Sequence, residues 1–236
     1  MAQTRAGFKL DTPSIGRQLL FLALGASTAI APHGSFAQER AQRGAEDPLN
    51  PCGPVYHHEG YGPFDYRTDR DKLKIVEDFH FTPKVEMLKA GQSGYIGSDL
   101  SYTLRSFPNH HRALVSLIRY SEKTRSQKPD NMQYSVECYF DRAIRFRPDD
   151  TKVRSIYAQY LHANKRTAEA LKQLEAASTY AADSGNAHYN IGVVYYQLGK
   201  YDEALANAHK AKQLGVAEGQ LEALLRKSGH WKDPSQ

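Results

Sequence analysis

The stretch NIGVVYYQLGKYDEALANAHKA, Asn190 to Ala211, reads as an amphipathic helical hairpin. The first question is whether it stands alone or repeats. Its small residues Gly192, Ala204 and Ala211 have counterparts upstream at Ala158, Ala170 and Ala177, each pair separated by 34. A common offset at three positions marks a repeat. A period of that size belongs to a two-helix unit that buries its apolar face only by stacking on a neighbour. Small side chains are required where the two helices of a unit, and the next unit, press together.

Asn190-Ile191-Gly192, Tyr195, Leu198-Gly199-Lys200-Tyr201, Glu203-Ala204-Leu205 and Ala211 resemble a tetratricopeptide repeat with nearly every signature position filled. The unit from Thr151 to Ser184 keeps Ala158, Leu161, Ala170-Leu171 and Ala177, but Asn164-Lys165-Arg166 stands where a Leu-Gly turn is usual. A third unit is interrupted. Ala143-Ile144 before Pro148-Asp149 resembles the end of a unit, and PNHHRALVSLIRY, Pro108 to Tyr120, resembles its first helix. Pro108 and Pro148 are 40 apart, and the surplus of six falls in the polar stretch Ser121 to Gln133, which enlarges the turn. Ser98 to Phe107 reads as the second helix of a degenerate first unit, with Ser98 as N-cap and Pro108 as stop. After the last unit, VAEGQLEALLRKSGHW reads as a closing helix with Trp231 packed on the end of the array.

The resemblance implies an all-α helix-turn-helix solenoid of about three units plus a capping helix, over residues 98–231, with a short tail at 232–236. Residues 51–97 do not fit the repeat. Gly53-Pro54 and Tyr61-Gly62-Pro63-Phe64 mark turns, LKIVEDFHF allows helix or strand, and Thr82-Pro83 starts a helix over PKVEMLKA. This segment is expected to be an irregular cap that wraps the first helices.

The N-terminus reads as an export signal. Arg5, Lys9 and Arg17 precede the 13-residue apolar run LLFLALGASTAIA, too short to span a bilayer comfortably, and Ser35-Phe36-Ala37 fits a cleavage site. Cleavage after Ala37 leaves a polar leader at 38–50 and a periplasmic or secreted protein; an uncleaved anchor is the rival reading. In an oxidising compartment Cys52 and Cys138 most simply form a disulfide, with two independent thiols as the alternative.

Net charge of +5 from dispersed Lys and Arg gives no footprint for nucleic acid. His57-His58 and His110-His111 are adjacent pairs, and neighbours on a helix point about 100° apart, so they make no metal site without loop freedom. No nucleophile motif, phosphate loop or paired-carboxylate motif is present, so neither enzyme chemistry nor a cofactor is expected. The function read from the sequence is binding. The resemblance places Arg112 and Arg119, then Lys152, Gln159 and His162, then Asn186, Tyr189, Asn190 and Tyr196 on a concave groove for a protein or peptide, an acidic one fitting best. Lys152 and Asn190 occupy plausible places in the carboxylate clamp of chaperone-binding members, but the other clamp partners are missing, so no chaperone tail is expected as ligand. The alternatives are a structural accessory subunit whose groove is filled by its own N-terminal segment, and a metal-dependent envelope hydrolase.

Overall fold

The computed structural model describes residues 50–56, 60–217 and 219–233. The expected signal and nearly all of the leader, and the His57-His58 pair, lie outside these residues. The described residues form ten helices and no strand. They are α1 (Arg70–His80), α2 (Pro83–Glu86), α3 (Ile96–Ser106), α4 (His111–Thr124), α5 (Val136–Phe146), α6 (Thr151–Ala163), α7 (Thr167–Ala181), α8 (Gly185–Gln197), α9 (Tyr201–Gln213) and α10 (Gln220–Lys227).

The two clearest units are the hairpins α6–α7 and α8–α9. Their small residues lie where helices meet: Ala158, Ala170, Ala177 and Ala204 are fully buried, and Ala211 nearly so. A Cβ on Gly192 would come within 2.7 Å of Leu221 Cδ2 and 3.0 Å of Asn207 Cβ. Gly192 thus lets α8 approach both its own partner helix and the closing helix α10.

First helices end in one recurring turn. At the end of α8, Lys200 N–H donates to Tyr195 O and Gly199 N–H to Tyr196 O, with Gly199 at φ 71°. At the end of α6, Arg166 donates to Leu161 O and Lys165 to His162 O, with Lys165 at φ 62°. This is the six-to-one, five-to-two pattern that favours glycine at its left-handed position. Lys165 occupies the position 34 residues before Gly199 and adopts the same backbone, so the turn survives the loss of its Leu-Gly signature. Arg125 at φ 52° does the same after α4.

The interrupted unit is α4–α5. Its enlarged turn, residues 125–135, lies along α3: a Cβ on Gly97 would meet Asp130 O at 2.1 Å, and Gln133 N–H donates to Ser101 Oγ at 3.1 Å. The helix ahead of it begins at Ile96, with Tyr95 preceding it and no side-chain cap, so Ser98 is an exposed residue inside α3 rather than its N-cap. Ser98 cannot cap because its own backbone has already entered the helix.

The stretch LKIVEDFHF falls largely in helix α1, which buries Leu73 and Val76 with Tyr66 and Phe107 in a satellite cluster. Thr82-Pro83 does start a helix, but α2 ends after one turn, where Leu88 takes φ 54° and turns its side chain into the core. Cys52 and Cys138 are joined in a disulfide, 86 residues apart in sequence, which fastens the start of the described chain to α5. Trp231 packs on the main core, with the Arg226 guanidinium 4.8 Å and the Lys212 ammonium 5.7 Å from its ring centre.

Candidate peptide-binding groove

Helices α4, α6 and α8 lie side by side, α4 against α6 and α6 against α8. Each is seated by a side-chain cap: His110 Nδ1 accepts from Ala113 N–H, Asp150 from Lys152 and Val153 N–H, and Ser184 from Ala187 N–H. The row carries a lopsided charge. Across the three helices Arg112, Arg119, Lys123, Lys152 and Arg154 face a single acidic residue, Glu122. Carboxylates sit instead on the second helices, as Glu137 and Asp141 on α5, Glu169 and Glu175 on α7, and Asp202 and Glu203 on α9.

Side chains bridge neighbouring first helices. Lys152 Nζ donates to Asn190 Oδ1 at 2.8 Å, and Gln159 Nε2 to Gln197 Oε1 at 3.0 Å. Asn190 in turn donates to Asn186 O at 2.7 Å, one turn earlier on α8. Burial pushes the Lys152 ammonium below the usual lysine range. Its one side-chain hydrogen bond goes to a neutral amide, and the Asp150 carboxylate offsets the burial only in part, so an incoming anion would be favoured there.

Other expected groove residues are turned elsewhere. His162 Nδ1 lies 3.0 Å from Thr167 Oγ1 across the α6–α7 turn. Tyr189 lines a small cleft with Val216, Gly219 and Leu221, at the seam with α10. Tyr196 packs edge-on against Tyr201, which stacks on His230 at 3.8 Å. These three belong to the joints between helices, while Lys152, Gln159, Asn186 and Asn190 remain together on one face.

The α4 end of the row is covered by the chain's own N-terminal segment. Arg112 Nε donates to Glu86 Oε1 at 2.9 Å and its Nη1 to Glu77 Oε1 at 3.1 Å. Ser116 Oγ donates to Glu86 O at 3.1 Å, and Lys123 Nζ to Leu88 O at 2.9 Å. Residues 82–88 therefore form a strap running in the same direction as α4. Phe81, Val85 and Leu88 are buried beneath it in the main core, so it is a fixed part of the fold. Arg112 accordingly holds the strap, whereas Arg119 is exposed and makes no ion pair among the described residues.

A buried polar knot behind the row has no counterpart in the sequence reading. Asn109 Nδ2 donates to Asp65 Oδ1 at 2.7 Å and to Asp150 Oδ2 at 2.9 Å. Asp65 also accepts from Arg67 Nη2 at 2.9 Å and Arg147 Nε at 2.6 Å, and Asp150 from His111 Nε2 at 2.9 Å. Burial alone would raise both carboxyls, but these hydrogen bonds outweigh it and hold Asp65 and Asp150 below the usual carboxylate range. Asn109 and Asp150 follow the two inter-unit prolines, Pro108 and Pro148. That placement was a visible signal; the third member, Asp65, had none.

A family model described as Tetratricopeptide repeat matches residues 185–214. Those residues form a tetratricopeptide repeat. The matched residues are α8, α9 and the turns that bound them, the hairpin that carries Gly192 and Gly199. Among curated proteins, DnaJ homolog subfamily C member 3 of Gallus gallus is 25% identical over 159 residues, covering 61% of this chain and 32% of that relative. The chain thus spans about a third of the relative's length.

His110 and His111 serve structure. His110 is fully buried, caps α4, and lies 3.2 Å from Glu77 through Nε2. Among the described residues no group of three or more His, Cys, Asp or Glu is placed to hold a metal ion. No described helix is long and apolar enough to cross a membrane.

Proposed function

We propose that this protein is an exported protein-interaction adaptor that holds an acidic, extended polypeptide segment on the face formed by α4, α6 and α8. One observation carries the reading: the first helices of the tetratricopeptide units hold five cations against one carboxylate, while acids gather on the second helices. Random surface patterning has no reason to follow the alternation of helices. An acidic segment would meet Arg119 and Lys152 by charge, and the side-chain amides of Gln159, Asn186 and Asn190 would bond its backbone. Export rests on the basic start, short apolar run and Ser35-Phe36-Ala37 of the sequence.

The test is a photo-crosslinking residue placed at exposed Gln159 on α6, compared with one at exposed Lys172 on α7. Partner crosslinks at 159 and not at 172 are expected from the envelope fraction, and Arg119→Glu should weaken them. Crosslinking at 172 alone would reject the groove.

The strap favours a second reading, a structural subunit whose groove is occupied by its own chain, because it already covers Arg112, Ser116 and Lys123. It leaves Gln159 and Asn186 exposed. The same pair of crosslinking sites separates the two readings, since the accessory subunit would contact its neighbours through the second helices.

A further inference from the structure

The strap does more than cover α4. Its residues alternate in direction: Val85 and Leu88 are buried, while Met87 between them is 56% exposed. The backbone enforces that alternation. Leu88 N–H donates to Val85 O and Lys89 N–H to Lys84 O, both at 2.9 Å, so α2 closes in the same six-to-one turn as the repeat helices, with Leu88 at the left-handed position. Leucine is a poor residue for that conformation, and its burial at 7% exposure is what holds it there. With Leu88 turned inward, Met87 is held outward.

Its position along α4 is fixed from both sides. Ser116 bonds the carbonyl of Glu86 and Lys123 that of Leu88, so Met87 lies over the stretch of α4 between them. Arg119 occupies that stretch on the same helical stripe, three residues after Ser116 and four before Lys123. The strap thus brings an apolar, flexible side chain to the stretch of α4 that carries the exposed Arg119 guanidinium, beside the Glu86 carboxylate on which that guanidinium acts.

Accepting the groove reading above, we infer that Met87, supplied by the strap and not by any repeat unit, is a specificity-determining residue of that groove, selecting an acidic polypeptide segment that also carries a large apolar side chain. The acid meets Arg119 and the apolar side chain packs on Met87. Methionine's three rotatable bonds and polarisable sulfur suit a contact that must fit more than one apolar shape. The commitment to an acidic polypeptide follows from the shortage of carboxylates on the three first helices.

The experiment uses the full chain and two fluorescein-labelled peptides, one alternating Glu and Leu, the other alternating Glu and Ser, read by fluorescence anisotropy. The Glu–Leu peptide should bind about tenfold more tightly, the scale set by burying one such side chain. Met87→Ser should erase that difference, Met87→Leu should keep it, and Arg119→Glu should weaken both peptides. Met87 is exposed, so its variants should fold. Equal binding of the two peptides, or a preference that survives Met87→Ser while Arg119→Glu still weakens both, overturns the inference and leaves the groove standing. Failure of both peptides to bind, or binding indifferent to Arg119→Glu, removes the groove itself and the inference with it.

Discussion

Between α6 and α9 helices meet through Ala158, Ala170, Ala177, Gly192 and Ala204, with backbone close to backbone and little charge between them. Between Asn50 and Asp150 they meet through Asp65, Arg67, Asn109, Arg147 and Asp150, through His80 against Asp99, and through a disulfide. Both regions are built from helical hairpins. The difference is periodicity: small-residue packing works when each unit is the same length as its neighbour, so that every alanine finds the next helix at the same height. The interrupted unit, with its extra turn residues and its strap, loses that register. Large buried side chains such as Leu100, Leu114, Leu117 and Phe140 fill its core, and specific bonds between named groups are added to them; those bonds depend on redox state and pH in a way that alanine contacts do not.

Removing the bridge with Cys52→Ser and Cys138→Ser should have the largest effect. Closing an 86-residue separation stabilises by roughly 4 to 5 kcal/mol in the chain-entropy model. The loss should fall on the N-terminal region, and amide exchange should show residues 70–146 losing protection while α8 and α9 keep theirs. Simultaneous loss in both regions would mean that the two are a single cooperative unit.

Asn109→Ala comes next. It removes the donor shared by two buried carboxylates, and about 3 kcal/mol of destabilisation is expected by denaturant titration. The same neighbourhood should respond to acid. Burial lowers the His110 imidazole below the usual histidine range despite Glu77 beside it, so its contribution is complete above about pH 6.5 and is lost as pH falls through the lowered value. Asp65, Asp99 and Asp150 are also lowered, the bonds to each outweighing its burial. Their contribution is present above about pH 4 and lost below it. Amide exchange at decreasing pH should therefore open α1 to α5 before α8 and α9; the reverse order would contradict the comparison.

Ala170→Leu should cost about 2 kcal/mol by overpacking the fully buried joint of α6 and α7, measured as a lowered denaturation midpoint. An unchanged midpoint would show that the close-packed region yields more easily than its geometry implies. The smallest change expected is a gain. Lys165→Gly should stabilise by up to about 1 kcal/mol, because it relieves a left-handed lysine at a turn where Gly199 stands in the next unit. A loss would show that the Lys165 side chain contributes something the backbone does not reveal.

What could be read from the sequence follows the same division. Ala170 and Ala204 could be paired by counting, because a fixed period makes one unit a template for another. The disulfide could be read because the chain has only two cysteines and an export-like start. The helix α1 could not be decided, since LKIVEDFHF satisfies either period over so short a run. The Asp65–Asn109–Asp150 knot joins residues over 40 apart by side chains alone, and no local pattern encodes that. Among groove residues, spacing set Lys152 and Asn190 on neighbouring first helices, where they are hydrogen-bonded, and an N-terminal segment wrapping the first helices was expected; what spacing could not supply was that Glu77 and Glu86 would engage Arg112, or that Tyr189 and Tyr196 would be drawn into helix joints. Nor was Met87 visible, because an exposed methionine outside the repeat has no period to mark it.

The chain has one tryptophan, and it sits at the far C-terminal end, edge-on to His209 at 4.9 Å and flanked by Lys212 and Arg226. Indole emission from this protein is consequently a directional reporter. It registers events at the closing helix directly, and those at the strap and the disulfide only through the core that joins them. Where the two regions open separately, the N-terminal one would open while the fluorescence of Trp231 stayed native, and stability followed by that signal alone would describe only the C-terminal units.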